Sequence, residues 1–192
     1  MSNNIELTEI DKIITSQLKL IDDKLSKIEF EEICEFKLND IKKDFYLFNK
    51  LDYKGLYLFE IKRDTNQNPI DWLDSFTQKF RGREKEFLHK FTPNVVKKRK
   101  KEHTKSTNEW IPIYLGKSKN IKNRVREHIF LELAKYTFAL KLKERKIDGI
   151  SIFGDELFRL KTIKVDVVNY DVIVTHLEKQ LRKKLNPIVG KQ

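Results

Sequence analysis

The stretch EWIPIYLGKSKNIKNRVREHIFL, residues 109–131, predicts a short strand that leads through a glycine directly into a helix. Its first nine residues, 109–117, are typical of a strand. Ile121, Val125 and Ile129 recur at four-residue steps and form the apolar stripe of the following helix. The junction therefore has the order strand, glycine, helix.

Two further segments, one on each side of this junction, predict strands. KGLYLFEIK, residues 54–62, alternates between two faces, with Tyr57, Phe59 and Ile61 on one of them. Residues 157–168, LFRLKTIKVDVV, alternate well enough in their apolar positions to form another strand. The sequence therefore predicts a small sheet.

Helical periodicity covers both ends of the chain and its middle. The first 45 residues predict an amphipathic helical arm, which either packs against the core or forms a dimerisation zipper. A last helix, with Val174 and Leu181 in its apolar stripe, stops before Pro187, while residues 137–146 fit either a helix or an irregular segment. After a turn at 64–69, spaced aromatic residues predict an inserted helix: Trp72, Phe76 and Phe80, with Phe87 and Phe91 following.

These elements predict one α+β domain over residues 1–192, with a small antiparallel or mixed three-stranded sheet flanked by helices. Residues 54–62 and 109–190 would form its core, residues 1–45 the N-terminal helical arm, and residues 65–108 a helical insertion. A chain of 192 residues can bury one substantial hydrophobic core, whereas two complete domains would each be marginal.

The charge of the chain favours a polyanionic partner. It has 40 basic and 29 acidic side chains, a net charge of +11, which attracts nucleic acid through counterion release. Alternatively, the lysines only decorate solvent-exposed faces. The basic run at residues 97–105 either contacts phosphates or is a solvated loop. Its five consecutive basic residues are Lys97, Lys98, Arg99, Lys100 and Lys101.

Two classes of protein are disfavoured by what the sequence lacks. It has no run of roughly 18 to 20 apolar residues, as a membrane span needs, and no basic-then-apolar start typical of a signal peptide. The lone Cys34 cannot form an internal disulfide. We therefore expect a soluble cytoplasmic protein that does not contact membranes.

Two pairs of residues are candidates for a functional site. Arg124 and His128 lie four positions apart on the predicted helix and share a face, although such a pair is often only a solvated surface. Tyr57 and Tyr114 each lie near a glycine on a predicted strand, which is ordinary for either tyrosine alone. If the two strands pair, both phenols come together.

Two short motifs and their distance to the basic pair stand out as a set. GLY occupies residues 55–57 and YLG occupies residues 114–116. Arg124 follows Gly116 by eight positions and His128 follows it by twelve. As a set, these residues resemble the GIY-YIG nuclease family, with leucine in place of isoleucine in both name motifs.

The C-terminal segment extends the resemblance. THLEKQLRKKLNP, residues 175–187, resembles the family's last motif and aligns its metal-binding carboxylate with Glu178. The chain also departs from the family in two ways. Between Tyr57 and Tyr114 lie 56 residues, where the family has a much shorter connection, so the insertion could read DNA sequence. Gly190 stands where the family tends to have asparagine.

The resemblance implies a metal-dependent DNA endonuclease that hydrolyses phosphodiester bonds. Glu178 would hold one Mg²⁺ (or Mn²⁺) ion per site. Tyr57 would be the general base, which requires nearby positive charge to lower its pKa from about 10 toward neutrality. Arg124 would stabilise charge on the phosphate oxygens. Tyr114 and His128 would orient the base and the phosphate, and His128 could relay a proton near pH 7.

The implied substrate is double-stranded DNA, contacted by Gly116, Lys117 and the basic run. We expect a site-specific endonuclease of the restriction or defence kind. The alternatives are a homing or mobile-element nuclease and a nucleic-acid-binding protein of the same fold without cleavage, and RNA is a further possible substrate. One site cuts one strand at a time, so double-strand cleavage would require a homodimer on DNA or two successive cuts.

Overall fold

The computed structural model describes residues 2–82 and 91–190. The chain divides into two compact units, Met1–Phe30 and Glu31–Gln192. The first unit contains helix α1 (Ser2–Leu25). The helix predicted for the first 45 residues therefore ends at Leu25, and the later part of that segment is wrong as a helix. Large apolar side chains of α1 are exposed, among them Ile5, Leu7, Ile10, Ile13, Ile14 and Leu20.

The elements of the second unit are, in chain order, β1 (Glu31–Lys37), β2 (Gly55–Lys62), α2 (Pro69–Arg81), β3 (Asn94–Val95), α3 (Lys97–Glu102), β4 (Trp110–Ser118), α4 (Ile121–Phe130), β5 (Lys146–Ile147), β6 (Ile150–Ser151), β7 (Leu157–Lys164), α5 (Tyr170–Leu185) and β8 (Val189–Gly190). Short 3-10 turns span Tyr46–Leu51 and Leu142–Glu144. The second of these turns lies in the segment 137–146, which the sequence left open between helix and irregular structure.

The main sheet has four strands among the described residues, in the order β1-β7-β2-β4, and every neighbouring pair is antiparallel. This confirms an α+β unit whose small antiparallel sheet is flanked by helices, but the predicted number of three strands is wrong. The additional strand is β1, where a helix was predicted. Phe36 of β1 stacks on Phe158 of β7 with ring centroids 5.8 Å apart. Contact with the sheet therefore outweighs the local helical pattern in this segment.

Strand β2 lies inside the sheet and is covered on both faces. Its residues from Gly55 to Ile61 are all buried, which explains the nearly continuous apolar run that they form. β2 pairs with β4, as expected for the two strands that carry the candidate tyrosines, with Tyr57 opposite Gly116 and Phe59 opposite Tyr114. The register thus places Tyr57 and Tyr114 as diagonal neighbours.

The two helices that follow β4 and β7 agree with the sequence. α4 begins after Asn120, whose side chain accepts the backbone N–H of Asn123 at 2.9 Å. α5 ends at Leu185, and its C-cap residue Asn186 adopts the left-handed conformation with φ of 48° immediately before Pro187. The hydroxyl of Tyr170 donates to the carbonyl of Ser118 at 2.8 Å, which ties the start of α5 to the end of β4.

The predicted insertion contains α2, β3 and α3. Trp72 stacks on Phe76 and Phe76 on Phe80, each pair with ring centroids 5.6 Å apart, so the predicted helix is confirmed over these three residues. Phe87 lies outside the described residues, and Phe91 lies in a turn. β3 pairs with β8, so the insertion is attached to the last strand of the chain.

The α-helices contain no membrane span. None of those in the described ranges 2–82 and 91–190 is long and apolar enough to cross a lipid bilayer.

Candidate active site

The two candidate tyrosines meet over Gly116. The rings of Tyr57 and Tyr114 are stacked with centroids 6.2 Å apart. A Cβ atom at Gly116 would lie 2.3 Å from the Tyr57 hydroxyl oxygen and 3.0 Å from Cε1 of Tyr114. Any side chain at this position would therefore displace the phenol of Tyr57, which explains why the YLG motif needs glycine here.

His128 is joined to this pair by a hydrogen bond. Its Nε2 atom lies 2.9 Å from the Tyr57 hydroxyl, and its ring centroid lies 4.6 Å from that of Tyr114. The backbone N–H of Leu140 donates to Nδ1 at 3.0 Å, so Nδ1 carries no proton. A neutral imidazole then has its proton on Nε2, which donates it to the Tyr57 oxygen.

The buried position of His128 determines its charge. Burial and the positive charge of Arg124 lower the pKa of His128 well below its ordinary 6.5. The ring is therefore neutral at pH 7. A ring that stays neutral favours the role of a fixed hydrogen-bond donor for His128 over the predicted proton relay near pH 7.

Arg124 lies one turn before His128 on α4 and faces both phenols. It pairs with Glu127 at 2.5 Å and also donates to the carbonyl of Phe138. Its positive charge lowers the pKa of Tyr57 and of Tyr114. Arg124 is thus held in place by its own neighbours while its charge acts on the tyrosine pair.

Burial nevertheless dominates the titration of Tyr57. Its side chain is 1% exposed, and burial, followed by the effect of Tyr114, raises its pKa well above 10 although Arg124 acts in the opposite direction. Arg124 alone therefore does not bring this pKa toward neutrality, and the predicted fall stays a prediction that depends on charge from a metal ion. Burial also raises the pKa of Tyr114.

Glu178 reaches the same site from α5. Its side chain is 15% exposed; one carboxylate oxygen pairs with Arg182 and the other lies 3.5 Å from Nζ of Lys117. Lys117 also donates to the hydroxyl of Thr175 at 2.6 Å. The negative charge of Glu178 raises the pKa of Tyr57, so the carboxylate lies within electrostatic reach of the phenols. The five predicted site residues are thus brought together from β2, β4, α4 and α5.

The residues around Glu178 offer one carboxylate to a metal ion. Within residues 2–82 and 91–190, no group of three or more His, Cys, Asp or Glu side chains is arranged to hold an ion. A Mg²⁺ ion that is shared with a phosphate needs only one or two carboxylates, because water and phosphate oxygens complete its octahedron. Glu178 therefore fits such a shared ion, and its carboxylate also pairs with Arg182 and Lys117.

A cleft of about 540 Å³ extends from Glu178 between α3 and α5. Of the predicted basic run, Lys98 and Arg99 line this cleft. Lys100 pairs with Asp74 instead. Lys97 and Lys101 are exposed and do not line the cleft. Its basic lining residues are Lys98, Arg99, Lys179, Arg182 and Lys183.

The sequence reasoning missed the contribution of α5 to this cleft. Lys179, Arg182 and Lys183 follow Glu178 at helical spacing, and this spacing was the available signal. On its own it looks like an ordinary surface ion pair, because only the position of α3 turns that surface into a cleft.

Comparison of the chain with family models, with curated proteins and with solved structures finds no match. The structure shows an α+β protein with a stacked tyrosine pair, a buried neutral histidine and one carboxylate beside a basic cleft.

Proposed function

We propose that the chain is a divalent-metal-dependent DNA endonuclease with a GIY-YIG-like core, of the site-specific restriction or defence type. The observation that carries this proposal is the convergence of Tyr57, Tyr114, Arg124, His128 and Glu178 from four separate elements around the glycine of the YLG motif. The resemblance in sequence assigned these residues to one site, and residues that are distant in the chain would not be expected to meet by chance.

In this proposal Tyr57 removes a proton from the attacking water. Its phenolate would be stabilised by the Nε2–H of His128, which already donates to this oxygen, and by the charge of Arg124. The water oxygen then forms a bond to phosphorus, the bond from phosphorus to the leaving sugar oxygen breaks, and that oxygen takes up a proton from solvent. Arg124 is also the cation that would balance charge on the non-bridging oxygens.

Glu178 is the residue that would hold Mg²⁺ or Mn²⁺. The ion would supply positive charge that stabilises the phosphate oxygens and favours the phenolate of Tyr57. Lys117 and Arg182 pair with Glu178, and an ion held by this carboxylate would let both cations face phosphate oxygens instead. Gly116 contributes space for the Tyr57 phenol rather than a contact of its own.

The test is cleavage of mixed plasmid and phage DNA with Mg²⁺, with EDTA, and with two matched pairs of variants. Glu178→Gln and Tyr57→Phe are expected to abolish discrete Mg²⁺-dependent fragments. The controls Glu132→Gln and Tyr46→Phe remove the same groups from exposed positions and should cut like the wild type. Cutting that survives in Glu178→Gln would overturn the assignment of this site.

A nucleic-acid-binding protein that does not cleave is the second candidate. It is favoured by the burial of Tyr57, which raises its pKa well above 10 and makes a phenolate costly. Tight binding of duplex DNA with no fragments at any Mg²⁺ or Mn²⁺ concentration would support it.

A further inference from the structure

The cleft between α3 and α5 carries more positive charge than its own acidic residues can neutralise. Five basic side chains line it, and the acidic residues among its lining are Glu102 and Glu178. Arg182 pairs with Glu178, whereas Arg99 donates to a neutral group, the carbonyl of Pro187, at 3.5 Å. Partial burial, and after it the positive charge of Arg182, lower the pKa of Arg99. Arg99 and Arg182 line the same cleft, and an anion that binds there would relieve the repulsion between their charges.

Arg99 is held in this cleft by the packing of the insertion. β3 pairs with β8, and α3 follows β3 directly, so the pairing fixes α3 against the end of the chain. An Nη atom of Arg99 lies 2.7 Å from where a Cβ atom of Gly190 would be. Arg99 thus occupies the space that a side chain at position 190 would fill.

We propose that Arg99 and Arg182 form a second phosphate-binding subsite, which holds a DNA backbone phosphate next to the one that is cut. This rests on the proposed nuclease function. Glu178 lines the same cleft, so an anion bound by the two guanidinium groups would be a neighbour of the scissile phosphate on the DNA strand. Arginine suits this position because its planar fork can donate two parallel hydrogen bonds to one phosphate.

The proposal also explains Gly190. A side chain at position 190 would meet the far end of the flexible Arg99 side chain and no backbone atom, so glycine there leaves room for the guanidinium group. The inserted helix α3 therefore places a guanidinium group in the space beside position 190.

The test measures binding of a fluorescent duplex of about 20 base pairs in EDTA, where no cutting occurs, over a series of salt concentrations. Arg99→Ala is expected to weaken binding about tenfold and to reduce the slope of log K against log salt by about 0.9, as for the loss of one phosphate contact. The matched control is Lys101→Ala, which removes an exposed cation of the same helix outside the cleft. Equal effects of the two variants would overturn the subsite.

Gly190→Ala provides an independent test without removing any charge. The added methyl group should displace the Arg99 guanidinium while leaving the free energy of unfolding nearly unchanged. We expect it to weaken binding several-fold in the wild-type background and to have no further effect in Arg99→Ala. Additive losses in the double variant would overturn the link between Gly190 and Arg99.

Cleavage assays on the same variants separate this proposal from the nuclease proposal. If the wild type cuts DNA and Arg99→Ala binds and cuts equally well, the subsite is wrong and the nuclease stands. If no protein cuts but Arg99→Ala still binds more weakly than Lys101→Ala, the nuclease proposal is wrong and the phosphate-binding role of Arg99 stands.

Discussion

The two halves of the candidate site are built in opposite ways. Tyr57 and His128 lie on the sheet side, are almost completely buried and make their hydrogen bond to each other. Glu178 and Arg182 lie on the cleft side, remain partly exposed and pair by charge. The sheet side is thus fixed by strand register and packing, whereas the cleft side is held by interactions that an ion or a phosphate could replace.

This difference predicts different functions for the two halves of the site. Burial suppresses titration on the sheet side, since it raises the pKa of Tyr57 and lowers that of His128. Any charge needed to form a phenolate must therefore come from Arg124 or from ligands that enter through the cleft. The comparison predicts that the cleft side controls activity, while changes on the sheet side affect both activity and stability.

The largest effect is expected from Glu178→Gln. This variant keeps the shape of the side chain but removes the charge that would hold the metal ion, so the cleavage rate should fall by about a thousandfold or more. The free energy of unfolding should change little, because the partners Arg182 and Lys117 are partly exposed. Rates from plasmid nicking and a urea titration of the same preparations measure both quantities. A large loss of stability would show that Glu178 serves the fold through its ion pairs and does not serve as a metal ligand.

Gly116→Ala should disrupt the packing of Tyr57 on the sheet side of the site. The new Cβ atom would lie 2.3 Å from the Tyr57 hydroxyl in a buried site, so we expect a loss of about 1 to 3 kcal/mol of stability. Displacement of Tyr57 should also lower the cleavage rate by about a hundredfold. Urea unfolding and cleavage rates measure these effects. Gly190→Ala is the control for stability, because the new Cβ atom there would meet only the flexible end of the Arg99 side chain. Equal stability of the two variants would contradict the close packing at Gly116.

The sequence predicted the elements that local periodicity specifies. β2, β4, α4 and α5 each have a repeat that is legible within one segment, and the pairing of β2 with β4 brings Tyr57 beside Gly116 as the motifs required. β1 was missed because its contact with the sheet is made by Phe36 with Phe158, which lies far along the chain. The resemblance could assign Glu178 to the site, but periodicity alone could not.

The sequence predicted which residues form the site better than it predicted their pKa values and charge pairing. The proximity of Arg124 to Tyr57 suggested a lowered pKa for the phenol, but the burial of the Tyr57 side chain decides the outcome. This burial depends on residues that are distant in the sequence, such as Leu140, whose backbone N–H donates to the ring of the neighbouring His128. Similarly, the basic run predicted phosphate contacts without showing that Arg99 would face the cleft and Lys100 would pair with Asp74. Side-chain direction in a short helix is set by tertiary packing.

The buried His128 should make stability depend on pH in a specific window. Because its pKa in the folded protein is depressed, the stability that it contributes is present above the unfolded pKa of about 6.5 and is lost as the pH falls below that value. The loss is up to about 1.4 kcal/mol per pH unit for one group. Urea titrations between pH 7.5 and about 5 should show a steeper decline for the wild type than for His128→Gln. Equal slopes would contradict a neutral buried ring.

The smallest effect is expected from Tyr114→Phe, which tests whether the second phenol acts or only packs. The ring of Tyr114 remains in contact with Tyr57 and His128 after the change, so stability should stay within about 0.5 kcal/mol of the wild type. Loss of the hydroxyl near Arg124 should lower the cleavage rate about tenfold by removing one polar group from the phosphate's surroundings. Single-turnover cleavage measures this step without product release. A loss as large as that of Tyr57→Phe would mean that Tyr114, whose pKa is also raised by burial, shares the proton transfer, and the distinction between the two phenols would then have to be abandoned.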